Sequence, residues 1–281
     1  MPKFPYGLGY IRDFGDWRDY TFNHQEISRL LVDITKVATS GPVDLRKWCS
    51  PIEDQKQLGA CTAHAGAGLY EFMENKAFGT YTDVSRLFIY KTTRDLMGVK
   101  GDTGGYLRTT LGSLALFGAP PEKYWPYNIA QFDTEPSAFL YGFADNFKAI
   151  KYVRLDPTGR APIDVLTNVL KMISSGIPVM FGFTVYSSIQ RTVVTQTGKI
   201  PFPKAGESVL GGHAIDAVGY DFTVICPNAS PGAFLIRNSW GTSWGMQGYG
   251  WLPFDYVIKG LANDLWSILQ EAWIDTGRFF D

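Results

Sequence analysis

Between Cys61 and Phe78 the chain reads CTAHAGAGLYEFMENKAF, a helical stretch with small or apolar residues on most of its faces. A helix with no polar side to turn toward water has to be enclosed by other elements, so this segment sets the centre of the fold. Gly79 follows as a natural helix stop. Gly66 and Gly68 inside the helix each cost about 1 kcal/mol relative to alanine, which points to another element packing closely against them.

The pattern around this helix changes along the chain. Further helical spacing occurs at 85–97, 107–117 and 162–175. From Ile177 onward, short strand-like runs at 177–185, 213–221, 232–240 and 248–258 alternate with Gly, Pro, Asn and Ser clusters that mark turns. The segment 124–136, with two prolines, reads as the crossing between a helical and a sheet-rich half, and 261–274 reads as a closing helix. An α+β chain is expected.

Several function classes are excluded by composition. Twenty-six basic residues against 27 acidic ones, a net charge of −1, give no nucleic-acid or membrane-surface footprint. No apolar stretch approaches the roughly 20 residues that span a bilayer. Three cysteines and three histidines form no C-x-x-C, H-E-x-x-H or zinc spacing, so neither a metal site nor a disulfide framework is expected. The GAG at 66–68 and TGG at 103–105 lack the setting of a phosphate cradle. No cofactor is implied. The N-terminal MPKFPYGLGYIRDFGDWRDY lacks the features of a secretory signal, which leaves a cytosolic protein or one whose signal has been removed.

Cys61 opens the central helix, where the partial positive charge of the helix N-terminus favours thiolate over thiol. By position alone it also fits a small buried hydrophobe. Its company downstream decides for chemistry. GGHAIDAVGYD places His213 at the head of a strand and LIRNSWGTSWGMQGYG places Asn238 at the end of the next. A thiol nucleophile needs a base, and the base needs an acceptor that fixes its tautomer. DQKQLGAC, GGHAIDAVGY and IRNSWGTSWGMQGYG resemble the nucleophile, histidine and asparagine motifs of papain-like cysteine peptidases, and VDLRKW at 43–48 resembles the start of their catalytic domain. The match covers about residues 42–260.

That resemblance implies a papain-like two-lobe α+β fold, with a helical left lobe (about 42–125), an antiparallel sheet or barrel right lobe (about 126–281) and the active site in the cleft between them. It implies peptide or protein substrates, cleaved by Cys61 with His213 as base and Asn238 as its orienting partner. Gln55 would donate to the oxyanion, with Gln57 as the nearer decoy, and Trp240 would shield the His213–Asn238 hydrogen bond. Gly104, Gly105, Tyr106 and Leu107 would form a substrate edge, with Gly182, Gly211, Gly212 and Ala214 lining the rest of the main specificity pocket. Two departures stand out: Thr62 replaces the tryptophan usual after the nucleophile, and Leu58 replaces a disulfide cysteine. Cys49 and Cys226 read as structural, His64 as a competing base or a core residue with a local partner, and His24 has no chemical reading. A peptide ligase or transpeptidase on the same triad, or a silent binding module on this scaffold, would share these motifs. Residues 1–41 have no counterpart in the mature domain and carry Phe4, Tyr6, Tyr10, Ile11, Phe14, Trp17, Tyr20 and Phe22, too much apolar surface to stay solvated. They are expected to pack on the body, as an intramolecular inhibitor in the manner of a zymogen propeptide or as a brace, with a short helix or strand at 28–36.

Overall fold

The computed structural model describes residues 4–22, 24–25, 39 and 41–271. The expected element at 28–36 lies outside the described residues.

Helix α1 (Cys61–Phe78) is the shared axis of two apolar cores. Its first half lies in a helical core with α2 (Arg86–Leu96) and α3 (Leu107–Leu116), where Ala63, Ala67 and Leu69 join Leu87, Leu111 and Leu114. Phe72 and Met73, one turn further on, belong to the core of the sheet. Two cores claim one helix, which is why no face of it was left polar. Gly79 ends α1 in the left-handed region at φ 71° and donates its N–H to Asn75 O at 2.9 Å. Ser85 starts α2 by accepting from Phe88 N–H through its hydroxyl.

Trp125, Tyr127, Ile129 and Phe132, in the segment read as the crossing between halves, pack on the helical core, followed by a short helix α4 (Ala138–Ala144). Strand pairing on the sheet begins with Val43–Asp44 (β1) and resumes at Ala149–Arg154 (β2). Helix α5 (Pro162–Ser174) starts on Pro162, whose fixed φ suits a first turn. Its Val165, Val169, Met172 and Ile173 pack into the sheet core at helical spacing. The remaining strands are β3 (Val179–Tyr186), β4 (Val209–Asp221), β5 (Ala233–Arg237), β6 (Tyr249–Pro253) and β7 (Ala262–Glu271). All are antiparallel in the order β2-β7-β3-β4-β5-β6, with β1 beside the end of β4. The sheet is open, not closed into a barrel.

The expected helix at 261–274 is corrected to a strand over its described part, β7. Flanked by β2 and β3, this strand is buried along almost its whole length. Its apolar run therefore lacks the alternation that marks a half-exposed strand.

One register detail opens the cleft. Strand β4 pairs with β3 from Val209 but with β5 only from Asp216, opposite Arg237. On the β5 side, the edge of β4 around Gly212–Ala214 is therefore left to whatever crosses the cleft. His213 lies four residues inside β4, not at its head as expected; Asn238 directly follows β5, as the sequence indicates.

Below the cleft a buried ionic network joins the lobes. Arg86 of α2 pairs with Glu71 of α1 at 2.8 Å, the Ser50 hydroxyl donates to Glu71, and Arg237 Nη2 donates to Ser50 Oγ at 3.0 Å. Arg237 also faces the buried Asp216, which burial pushes well above the usual carboxylate range. Gly68 abuts this pair: a methyl there would sit 2.5 Å from Arg237 Nη1 and 2.6 Å from Asp216 Oδ2. At Gly66 the nearest contact would be 3.0 Å, from the Thr110 methyl. Gly68→Ala should therefore destabilise the protein by about 1–3 kcal/mol, whereas at Gly66 the helix propensity gained by alanine offsets the milder crowding. Denaturant unfolding of the two variants checks this, and equal losses would remove the close-approach explanation.

Candidate active site

Cys61 is the first residue of α1 and is fully buried. The N-cap, Ala60, offers no side-chain acceptor to the first turn, so its N–H groups are not claimed by a capping side chain. Backbone N–H groups of Ala214, Gly9, Thr62 and Cys61 itself face the sulfur and favour thiolate. Burial outweighs them and pushes the thiol up to about 11. The helix-terminus charge read from the sequence is present, but in this dry setting it does not ionise the sulfur.

His213 is also fully buried, and its Nε2 lies 2.7 Å from Asn238 Oδ1, so the asparagine fixes Nε2 as the protonated nitrogen. Nδ1 is left without a hydrogen-bond partner. Burial lowers the imidazole to about 4, against a smaller upward pull from Asn238. Trp240 stacks on the ring at 4.4 Å between centroids and is itself buried. Its indole lies over the His213 imidazole.

Gln55 Nε2 donates to Gly7 O and Leu58 O, both at 3.0 Å. Two carbonyl oxygens can only accept, which settles the amide orientation, and Oε1 accepts from Ser239 Oγ at 2.5 Å. Its backbone N–H donates to Ser239 O, and its backbone O accepts from Tyr127 Oη at 3.0 Å. Ser239 N–H in turn donates to Asn238 Oδ1. Ser239 thus ties Gln55 to the His213–Asn238 side and Tyr127 ties it to the helical core, and neither was singled out in the sequence. Ser239 lies inside the NSW motif; no local signal marks Tyr127. Gln57 is exposed and plays no part.

His64 donates its Nδ1–H to Ala60 O, at 3.0 Å, and meets the Tyr127 ring edge-on. Burial lowers it to about 3, in line with the core reading. His24 pairs with Thr21, and Cys49, Cys61 and Cys226 are free thiols. Among the described residues no His, Cys, Asp and Glu cluster is arranged to hold a metal.

The cleft is filled by residues 4–19 of the chain itself. Gly105 N–H donates to Gly9 O at 2.8 Å and Ile11 N–H to Gly105 O at 3.1 Å, while Tyr10 N–H donates to Gly212 O at 3.1 Å. The segment therefore pairs with the helical lobe on one side and with the free β4 edge on the other. Leu8 packs by Gly211, and a methyl at Gly104 would strike Gly9 O at 2.2 Å. Leu107 and Ala214 are buried in one apolar cluster with Tyr10, and Tyr106 is half-buried at the start of α3. Tyr6 stacks on the free face of Trp240, 4.9 Å between centroids. Two arginines fasten the strap: Arg108 meets Asp13 and Asp19 at 2.6 and 2.7 Å, and Arg154 lies 3.5 Å from Asp19.

A family model described as papain family cysteine protease matches residues 40–260. The chain belongs to the papain family. A peptidase C1-like protein of Acanthamoeba polyphaga mimivirus is 36% identical over 278 residues, which are 94% of this chain and 87% of that protein. Xylellain, a cysteine protease from Xylella fastidiosa, shares the fold with a TM-score of 0.74 at 31% identity, over 95% of this chain and 97% of its own. Cathepsin K of Gallus gallus is 29% identical over 74% of this chain, which spans only 57% of that protein. This is a papain-like cysteine peptidase with the two-lobe fold of its family.

The buried imidazole has a consequence for pH. Its folded value, about 4, lies below the unfolded 6.5, so between these values the unfolded chain binds a proton that the folded one refuses. Stability on this account falls as pH falls through that window. His213→Gln should lose less stability than the parent between pH 6.5 and 4 in matched denaturant titrations; parallel losses would show an imidazole that charges freely.

Proposed function

We propose that this peptidase hydrolyses peptide bonds with Cys61 as nucleophile, His213 as base and acid, Asn238 as its orienting partner and Gln55 with the Cys61 N–H as oxyanion donors, and that residues 4–19 hold it inactive. The observation that carries the reading is a main-chain carbonyl, Gly7 O, held by Gln55 Nε2 two residues before the Gly9 N–H that faces the Cys61 sulfur. A peptide already lies where a peptide substrate would be polarised. The same strap turns the N–H of Gly9 toward the sulfur, so Cys61 faces a donor instead of a carbonyl carbon.

Withdrawal of the strap lets water reach a thiol and an imidazole that burial keeps neutral. Rehydration lowers the cost of charge on both, and the proton passes from Sγ to Nδ1 of His213. The thiolate attacks the scissile carbonyl carbon, and the developing oxyanion takes hydrogen bonds from Gln55 Nε2 and the Cys61 N–H. Collapse breaks the C–N bond, with His213 giving its proton to the leaving amine. His213 then takes a proton from water, whose oxygen attacks the thioester, and the acid leaves as the thiol is restored. Asn238 keeps the ring in one orientation throughout, and Trp240 keeps water from its bond to Nε2.

The strap's glycines support the cover over the brace. A methyl on Gly7 would meet Leu58 O at 2.2 Å and one on Gly9 would meet Gly59 O at 1.7 Å, so only bare backbone can lie this close to the oxyanion site.

Cys61→Ala should abolish turnover with the fold retained, and Gln55→Ala should lower kcat by on the order of 10²-fold with KM little changed. Steady-state kinetics on a fluorogenic peptide checks both; comparable rates in Cys61→Ala would end the mechanism. A chain beginning near Gly41 should cleave that peptide faster than the full chain, with peptide 1–40 restoring inhibition in trans. A truncated chain with an unchanged circular dichroism spectrum and no gain in rate would rule out the cover.

A further inference from the structure

Tyr10 enters a slot whose chemistry the catalytic reading does not use. Gly182 of β3 and Gly212 of β4 border its ring: a methyl at Gly182 would fall 2.0–2.2 Å from the outer ring carbons, and one at Gly212 would fall 2.8 Å from Cδ1. Two missing side chains on neighbouring strands thus leave the room that the ring occupies. At its end the Tyr10 hydroxyl donates to Asp264 Oδ2 at 2.9 Å. Asp264 is fully buried and sits at φ 56°, where the β3–β7 register shifts between Gly182–Asn263 and Met180–Trp266. This bulge breaks the alternation of β7 and re-aims the side chain. Asp156 holds the bulge, accepting from the N–H groups of Asp264 and Leu265. Burial raises Asp264 to about 6, which leaves a carboxylate acceptor at neutral pH.

We infer that Asp264 is a specificity-determining residue and that its pocket selects substrates with a phenolic side chain over phenylalanine, leucine or a basic residue. The inference rests on the peptidase reading above. In this chain Asp264 Oδ2 also accepts from the Asp13 N–H at 2.6 Å, so a phenylalanine fills the slot but takes away the only side-chain donor to that oxygen, a deficit that sites built for a hydroxyl translate into rejection. A basic side chain gains less, because a guanidinium already stands against this carboxylate. Arg154 Nη2 lies 2.7 Å from Asp264 Oδ1 and its Nε 3.1 Å from Asp156. Departure of the strap also removes Asp13 and Asp19 from Arg108 and Arg154, and both guanidinium groups lie over Trp266. Arg154 then stands against Asp156 and Asp264 alone. The strap, on this view, holds the cleft with the side chain that the pocket prefers in substrates.

The test uses the full chain carrying Gly9→Val, which cannot seat the strap, and a peptide library varied one position at a time. At one position, kcat/KM for tyrosine should exceed that for phenylalanine by about 10-fold or more, with arginine and leucine lower still. Asp264→Ala in the same background should level tyrosine and phenylalanine. In the otherwise unaltered chain, Tyr10→Phe should raise turnover of a small peptide several-fold by loosening the strap, a readout that does not depend on any Asp264 variant folding. Equal rates for tyrosine and phenylalanine at every position, a tyrosine preference that survives Asp264→Ala, or a leading preference for arginine would overturn the inference while leaving the peptidase reading intact. No cleavage at all, with Cys61 unlabelled by an epoxide probe, would overturn that reading and the inference with it.

Discussion

The approach of α1 to strands β4 and β5 is the constraint on which the rest depends. At Gly68 the helix runs so close to the Asp216–Arg237 pair that even a methyl group would collide with it. That contact sets the position of the helix start, where Cys61 sits, relative to His213 three residues before Asp216 and Asn238 one residue after Arg237. Cys61 and His213 come from different elements, a helix and a strand, so their relation is only as fixed as this junction. The buried Glu71–Arg86–Ser50–Arg237 network fixes it further. Breaking one partner of such a network strands a charge away from water, which resists sliding of one lobe on the other.

Desolvation governs the second layer of the structure. Backbone N–H groups around Cys61 favour a thiolate, yet burial leaves thiol and imidazole neutral. On the proposed reading the strap acts on electrostatics as well as on access. Its seat combines backbone pairing on both lobes, aromatic stacking on Trp240 and ion pairs at Arg108. Each is modest alone, and the ion pairs are partly exposed and so screened. Together they connect one segment to both sides of the cleft.

Much of the site was legible because its residues lie in short contiguous motifs. GAC, GGHA and NSWGTSWG carry their partners within a few positions, and Gln55 sits six residues before Cys61. Tyr127 and Asp264 were not legible. Tyr127 reaches Gln55 across 72 residues of chain from a segment that reads as a linker. Asp264 sits in a run whose burial on both sides erased the strand alternation, so the stretch read as a helix and the bulge that aims the carboxylate could not be anticipated. The strap's aromatic content signalled that it would pack, but composition carries no address.

The sequence by itself determined the enclosed central helix, the change from helical to sheet elements and the family, and it marked the residues proposed for the chemistry. Each of these depends on local periodicity or on neighbours close in the chain. Tertiary structure alone decided the protonation of Cys61 and His213, the seating of Tyr10 against Asp264, and the course of residues 4–19 through the cleft. These depend on water exclusion and on contacts between positions up to 254 residues apart. Burial and long-range register are properties of the assembled chain, so no stretch of sequence holds them in advance.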